Sequence, residues 1–368
     1  MIPVCEPLIT EREIELVIDC LRTGWISSSG KYLEQFEKGW ASYCGVRHGI
    51  AVSNGTTALQ IAVRLLELKP GEEVIMPTFT IISCAQAILY CGGIPVFVDS
   101  DKRSWQMDTS QIESKITSKT RAIMVVHIYG HPANMEPIIE IAKKHKLYII
   151  EDAAEAHGAE YKGRKCGSFG DISVFSFYAN KLITTGEGGM VLTNNDEFAE
   201  RARSLRNLCF KKERRFIHEE LGYNFRLTNI QAALGVAQLE RMEEIVERKR
   251  MIARRYTELL RDVSQIELPI EEPWAKNVYW VYGIVLKEES RINATQFAQK
   301  LKEVGVETRP FFIGMHEQPV FRKMGLFKDD SYPVAERLAR QGLYLPSGLT
   351  IKDDEIEYVC KKIKEILR

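Results

Sequence analysis

Short apolar runs, rich in Val and Ile, punctuate the first two-thirds of the chain at 49–53, 73–77, 94–99, 122–127, 147–152, 172–177 and 189–193. Between several of them the apolar residues return with helical spacing instead, as in TTALQIAVRLLEL, CAQAILYCG and MEPIIEIAKKHK. A strand buried on both faces needs no polar alternation, and helices placed between successive strands cover those faces. The pattern therefore predicts an α/β fold built on a largely parallel sheet.

The pattern changes in the last third. Residues 227–263, LTNIQAALGVAQLERMEEIVERKRMIARRYTELLRDV, read as one long helical segment, apolar early and charged late, before Pro269 and Pro273 interrupt the chain. Residues 280–286 read as a strand, 293–305 as a helix, 306–312 as a strand and 353–367 as a closing amphipathic helix. In that last helix acidic residues come first and lysines last, the polarity that the helix dipole favours. We expect a larger domain, 1–240, and a smaller α+β domain, 241–368, joined by helix and not by a flexible linker.

Charge narrows the possible functions. Fifty Lys and Arg offset fifty Asp and Glu, so no bulk field draws the protein to nucleic acid or to an anionic membrane. An anionic ligand must be held by a local site. No apolar run approaches the roughly 18 residues of a membrane span. The N-terminal stretch MIPVCEPLITEREIE has acidic residues where a secretion signal needs a basic start. The eight cysteines are scattered without a CxxC pair, as expected of reduced thiols in the cytoplasm.

Three stretches carry candidate chemistry. In SNGTTAL, Ser53, Asn54 and Gly55 form a turn with Thr56 and Thr57 at a helix start, where free amides and hydroxyls suit an anion. A plain helix cap is the competing reading. In LYIIEDAAEAHGA, Glu151 and Asp152 end an apolar strand, the edge at which open α/β sheets bind ligands. A buried aspartate there would favour a cationic partner such as a protonated ring nitrogen, although a structural ion pair would read the same way. In FSFYANKLITTGEGGM, Lys181 follows a strand by four residues and precedes Gly186, Gly188 and Gly189. A lysine kept from water there becomes a nucleophilic amine able to bond a carbonyl, with a lysine snorkelling at a strand end as the competing reading. Together the three ask for a phosphate, a protonated ring nitrogen and an aldehyde, which pyridoxal 5′-phosphate combines.

SNGTTAL, EDAAEAHGA, FSFYANKLITTGEGGM and GYNFRLTNIQAALGVAQLER resemble the DegT/DnrJ/EryC1/StrS family of pyridoxal-phosphate-dependent nucleotide-sugar aminotransferases, and the likeness runs from GWISSSGKYLEQFEK to RPFFIGMH. The resemblance implies aminotransferase fold type I, with a mixed sheet in the large domain, a small C-terminal domain and a homodimer. It implies transfer of an amino group from L-glutamate to C4 of a nucleotide-linked 4-keto-6-deoxy sugar, with a GDP sugar first, dTDP or UDP sugars as alternatives, and a cofactor-binding regulator without catalysis as the remaining one. By the same resemblance Lys181 is the catalytic lysine and proton carrier, and Asp152 pairs with the ring nitrogen. Gly55, Thr56, Thr57 and Ser176 hold the phosphate, and Glu155 lies near the ring hydroxyl. Asn224 reaches the neighbouring subunit's cofactor, while His316, Trp25 and Arg226 lie on the substrate side. The family often has an aromatic residue over the ring where this chain has Ile81. Dehydratases of the family carry histidine at the position of Lys181, which speaks against deoxygenation.

Other residues take plainer readings. His127 and His131 are expected as loop histidines near the site mouth, since a Gly between them and a following Pro rule out a helical metal pair. His157 and Glu155 lack further ligands, so no metal site is expected. Lys211, Lys212, Arg214 and Arg215 form a local basic cluster, either a solvated loop or a clamp for a diphosphate.

Overall fold

The computed structural model describes residues 1–211, 214 and 216–368. The apolar runs become β1 (His48–Val52), β2 (Glu73–Pro77), β3 (Ile94–Val98), β4 (Thr120–Val126) and β5 (Tyr148–Asp152). The short pair β6 (Glu160–Tyr161) and β7 (Arg164–Lys165) follows, then β8 (Ile172–Ser176) and β9 (Gly189–Thr193). Seven of these form one sheet in the order β1-β9-β8-β5-β4-β2-β3. Neighbours from β3 through β8 are parallel, while β9 runs antiparallel to both β8 and β1. The sheet is buried on both faces by period-two alternation. Met124 and Ile150 join one apolar cluster, and Ile123, Val125 and Ile149 join another on the reverse face.

Helices α1 (Glu11–Thr23), α2 (Lys31–Cys44), α3 (Gly55–Leu65), α4 (Ile82–Tyr90), α5 (Met135–His145) and α6 (Asp196–Leu205) flank this sheet. The first two were not anticipated, although both carry local signals. Thr10 and Glu13 form a capping box before α1, and Gly24 and Gly45 end α1 and α2 in the left-handed region. The segment expected as one helix over 227–263 is two, α7 (Asn229–Glu240) and α8 (Met242–Leu260). Arg241 leaves helical geometry at φ −115° and ψ 18°, and its guanidinium reaches Glu13 of α1 at 2.9 Å. Tertiary packing makes this break: α7 lies against α1 and α2, whereas Ile252, Tyr256 and Leu260 of α8 enter the core of the smaller domain.

That smaller core lies under β10 (Ile266–Glu267), β12 (Tyr282–Leu286), β13 (Arg309–Pro310) and β14 (Gly342–Leu345), ordered β10-β12-β14-β13 and antiparallel throughout. Between the first two, β11 (Ala275–Lys276) pairs instead with β6, which ties the smaller domain's sequence to the larger one. Helices α9 (Ala294–Glu303), α10 (Pro319–Lys323), α11 (Pro333–Gln341) and α12 (Asp353–Leu367) complete the chain. The strand expected over 306–312 shrinks to two residues. Pro310 has no amide to donate, and Val306 pairs instead with Ile2, so the N-terminus is drawn into this domain. Among the described residues no helix is long and apolar enough to cross a membrane.

The contact between α7 and α2 is tight enough to test. A Cβ at Gly235 would lie 2.6 Å from the ring of Phe36, which is fully buried. In a helix interior Gly→Ala gains about 1 kcal/mol of propensity, but overpacking a core costs about 1–3 kcal/mol. Gly235→Ala should therefore lower the urea midpoint of unfolding. A raised midpoint would mean that α7 and α2 can separate freely.

Candidate active site

The carboxyl ends of the parallel strands face a cavity of about 390 Å³, and the register determines which residues meet there. Val126 of β4 pairs with Asp152 of β5, and Ser176 of β8 pairs with Gly189 of β9. The amino end of α3 closes one side. Asn54 caps this helix by accepting from the Thr57 amide at 2.9 Å, and the Thr57 hydroxyl donates back to the Asn54 carbonyl at 2.9 Å. Thr57 is thereby spent on the cap and does not line the cavity, whereas Gly55 and Thr56 do. The first amides of a helix lack intrahelical partners and favour an anion. Thr56 Oγ1 lies 2.9 Å from Ser83 Oγ, so two hydroxyls stand beside those amides. A Cβ on Gly55 would come within 2.7 Å of Ser176 Cβ, and only glycine allows this approach.

Asp152 lies deeper. Its Oδ1 accepts from the Ala154 amide at 3.0 Å and its Oδ2 from the Cys84 thiol at 3.1 Å. Burial raises its pKa, against the hydrogen bonds and the nearby Lys181, which lower it. Glu155 accepts from the Tyr129 amide at 2.7 Å and stands 3.8 Å from Lys181 Nζ. Burial pushes this carboxyl up to about 7, opposed by Lys181. The amine shifts the other way, lowered by loss of water and only partly restored by Glu155 and Asp152. Glu155 is therefore poised between charged and neutral forms near neutral pH, beside an amine whose pKa burial lowers.

The smaller domain supplies the remaining wall. Trp280, Phe312 and Tyr344 line the cavity, and none was singled out from sequence. Ser83 and Cys84 were missed as well. Ile81 lies on the cavity wall at the start of α4, 40% exposed.

The other expected site residues lie elsewhere. Asn224 is exposed, bridged to Asn207 and outside its own chain's cavity. Trp25 is exposed, and Arg226 Nη1 donates to Asn207 Oδ1 at 2.7 Å. His316 is fully buried, with Nδ1 2.8 Å from Thr78 Oγ1 and Nε2 3.3 Å from Glu336 of α11, and it does not line the cavity. His127 and His131 lie in the irregular segment after β4, as expected of loop histidines, but both are buried and not at a mouth. His127 Nε2 lies 2.9 Å from Glu151, whose carboxylate also accepts from Phe169 N, Gly170 N and the Ser173 hydroxyl. Glu151 therefore fixes the 167–170 loop beneath Asp152. In the basic cluster Lys211 pairs with Glu219 at 2.7 Å and Arg214 is exposed, while Lys212 and Arg215 lie outside the described residues.

Comparison with known proteins gives a consistent picture. The DegT/DnrJ/EryC1/StrS aminotransferase family matches residues 7–364. The GDP-perosamine synthase of Escherichia coli O157:H7 is 43% identical over 366 residues, spanning 99% of this chain and 98% of that protein. The UDP-N-acetyl-3-dehydro-alpha-D-glucosamine 3-aminotransferase of Acidithiobacillus ferrooxidans is 37% identical, over 89% of this chain and 86% of that one. Among solved structures, the aminotransferase TlmJ from Streptoalloteichus hindustanus superposes with a TM-score of 0.93 at 30% identity, covering 100% of this chain and 99% of that one.

The Glu155 environment has a pH signature. Its folded-state value near 7 lies above the ordinary 4.5, so the folded state binds this proton more tightly than the unfolded state does. The stability it contributes is complete below about pH 4.5 and is lost as pH rises towards 7. Cofactor-free Glu155→Gln protein should lose less melting temperature than wild type between pH 5 and 7. Parallel curves would mean that Glu155 titrates normally.

Proposed function

Because the chain belongs to the DegT/DnrJ/EryC1/StrS aminotransferase family, a pyridoxal-phosphate-dependent group acting on sugars, we propose that it moves an amino group from L-glutamate to C4 of GDP-4-keto-6-deoxy-D-mannose, giving GDP-perosamine. One observation carries the chemistry: the Lys181 amine stands 3.8 Å from Glu155 and within electrostatic reach of Asp152, in a cavity onto which the amino end of α3 opens. The full-length likeness to GDP-perosamine synthase supports the choice of acceptor. A dTDP- or UDP-linked 4-keto-6-deoxyhexose is the second reading, favoured by the likeness to an aminotransferase of a UDP sugar.

The cavity suits pyridoxal phosphate. The Gly55 approach leaves backbone close to an anionic group, with Thr56, Ser83 and Ser176 to donate. Asp152, buried and with both oxygens already oriented by donors, would hold a proton on the ring nitrogen. When bound, the cofactor supplies an electron sink and a carrier for the amino group. Lys181 would tether it, and its freed Nζ would take the proton from glutamate Cα and later give one to sugar C4. Glu155, beside Nζ, would keep the amine's charge balanced during those transfers. Trp280, Phe312 and Tyr344 would keep water from that side.

In this reading residues 1–240 carry the cofactor and 241–368 close over it. Asn224, exposed on its own subunit, would complete the site of a second copy in a homodimer. The setting would be the cytoplasm, in the supply of a surface polysaccharide such as O-antigen.

A substrate panel tests the assignment. Cofactor-loaded protein with glutamate should release 2-oxoglutarate and yield an aminated product from the GDP-linked 4-keto-6-deoxy sugar, and far less from dTDP or UDP analogues. Turnover confined to a dTDP or UDP sugar would replace the acceptor. Failure of glutamate alone to aminate the bound cofactor would reject the aminotransferase assignment.

A further inference from the structure

Lys181 Nζ lies 3.8 Å from the ring centroid of Trp280, and the same indole donates its Nε1–H to the carbonyl of Asn180 at 2.8 Å. One side chain from the smaller domain therefore covers the amine and also holds the peptide that precedes it. The indole itself has little freedom. It is buried, with Tyr129 and Tyr344 at centroid distances of 6.2 and 6.5 Å. The backbone that aims it is strained. Tyr279 has φ +48°, in the left-handed region that side chains disfavour. Two contacts hold this turn: the Tyr279 amide donates to Asn277 Oδ1 at 2.7 Å, and the Val278 amide donates to the Gly130 carbonyl at 3.1 Å. A Cβ on Gly130 would lie 2.7 Å from Trp280 N, so the two loops are pressed together at this point.

We propose that Trp280 is a positioning residue that holds the freed Lys181 amine, in its charged form, at the point from which it transfers protons. The inference rests on the reading of Lys181 as the proton carrier. Glu155 alone would not give a fixed position, since its oxygen is 3.8 Å away, beyond hydrogen-bond length. An aromatic face attracts an ammonium without accepting its proton. Nζ is thus held by the ring yet stays free to exchange protons with a substrate carbon. The other titratable groups around Nζ are Asp152 and Glu155 from the end of β5, Cys84 from α4, and His157. Cys5, Glu6 and Lys249 share with Lys181 the small recess behind it. Replacing Trp280 leaves every one of these charges in place.

Two readouts on Trp280→Leu and Trp280→Phe separate this role from simple packing. In cofactor-free protein, competitive acetylation with acetic anhydride and peptide mass spectrometry gives the titration midpoint of Lys181 Nζ. Loss of the ring in Trp280→Leu should lower that midpoint by about half to one pH unit, while Trp280→Phe, which keeps an aromatic face, stays near wild type. In cofactor-loaded protein, stopped-flow absorbance of the glutamate half-reaction should slow by about tenfold or more in Trp280→Leu. Glutamate affinity should change less than about twofold, and Trp280→Phe should recover most of the rate. Trp280→Met, apolar but without a ring, takes the place of Trp280→Leu if the latter does not fold. A midpoint that stays or rises, or a slower reaction due only to weaker glutamate binding, overturns the proposal. Lys181→Ala is the reference: if it still completes the half-reaction, the reading of Lys181 has failed and Trp280 with it. If Lys181→Ala is inactive while Trp280→Leu behaves as wild type, only the role of Trp280 is rejected.

Discussion

An amine taken out of water must be stabilised by protein charges and dipoles or give up its proton, and the architecture of this chain is organised around one such group. Lys181 loses water within the loop between β8 and β9 and gains Glu155, Asp152 and the face of Trp280 in return. Asp152 reaches it because β5 and β8 are neighbouring parallel strands, and Glu155 because the turn after β5 is held by the Tyr129 amide. Trp280 reaches it from the last third of the chain, packed in the same core cluster as the large sheet. The electrostatic site therefore draws on distant parts of the sequence.

The absence of net charge fits that organisation. With no overall field, binding of an anionic ligand has to come from oriented groups at short range. The amino end of α3 provides them on the cavity that Lys181 also lines, with the Thr56 and Ser83 hydroxyls bonded to each other. Glu151, just before Asp152, has the opposite fate: four protein donors and His127 saturate it. Adjacent carboxylates on one strand alternate faces, so one fixes a loop and the next faces the cavity.

Much of this was legible because it is encoded locally. Seven strands announced themselves as Val- and Ile-rich runs, and Gly55, Thr56, Asp152, Glu155, Ser176 and Lys181 lie where strand ends and helix starts put them, on one cavity. What escaped depends on distance along the chain. Trp280 meets Asn180 across 100 residues, and nothing in NVYWVYG marks its indole as facing a lysine. The break at Arg241 is invisible to periodicity, because arginine is a good helix former and the bend is imposed by α1. The partners of His316, Thr78 and Glu336, lie 238 and 20 residues away, and RPFFIGMH does not mark them either. The helices α1 and α2 were a different kind of miss, since the capping box and terminal glycines were there to be read.

The most direct test is to reduce the pyridoxal-phosphate-loaded protein with sodium borohydride and map the modified peptide by mass spectrometry. The account predicts a single stable adduct on Lys181. An adduct on Lys249, the buried lysine on the far side of the same loop, or on any other lysine would contradict it.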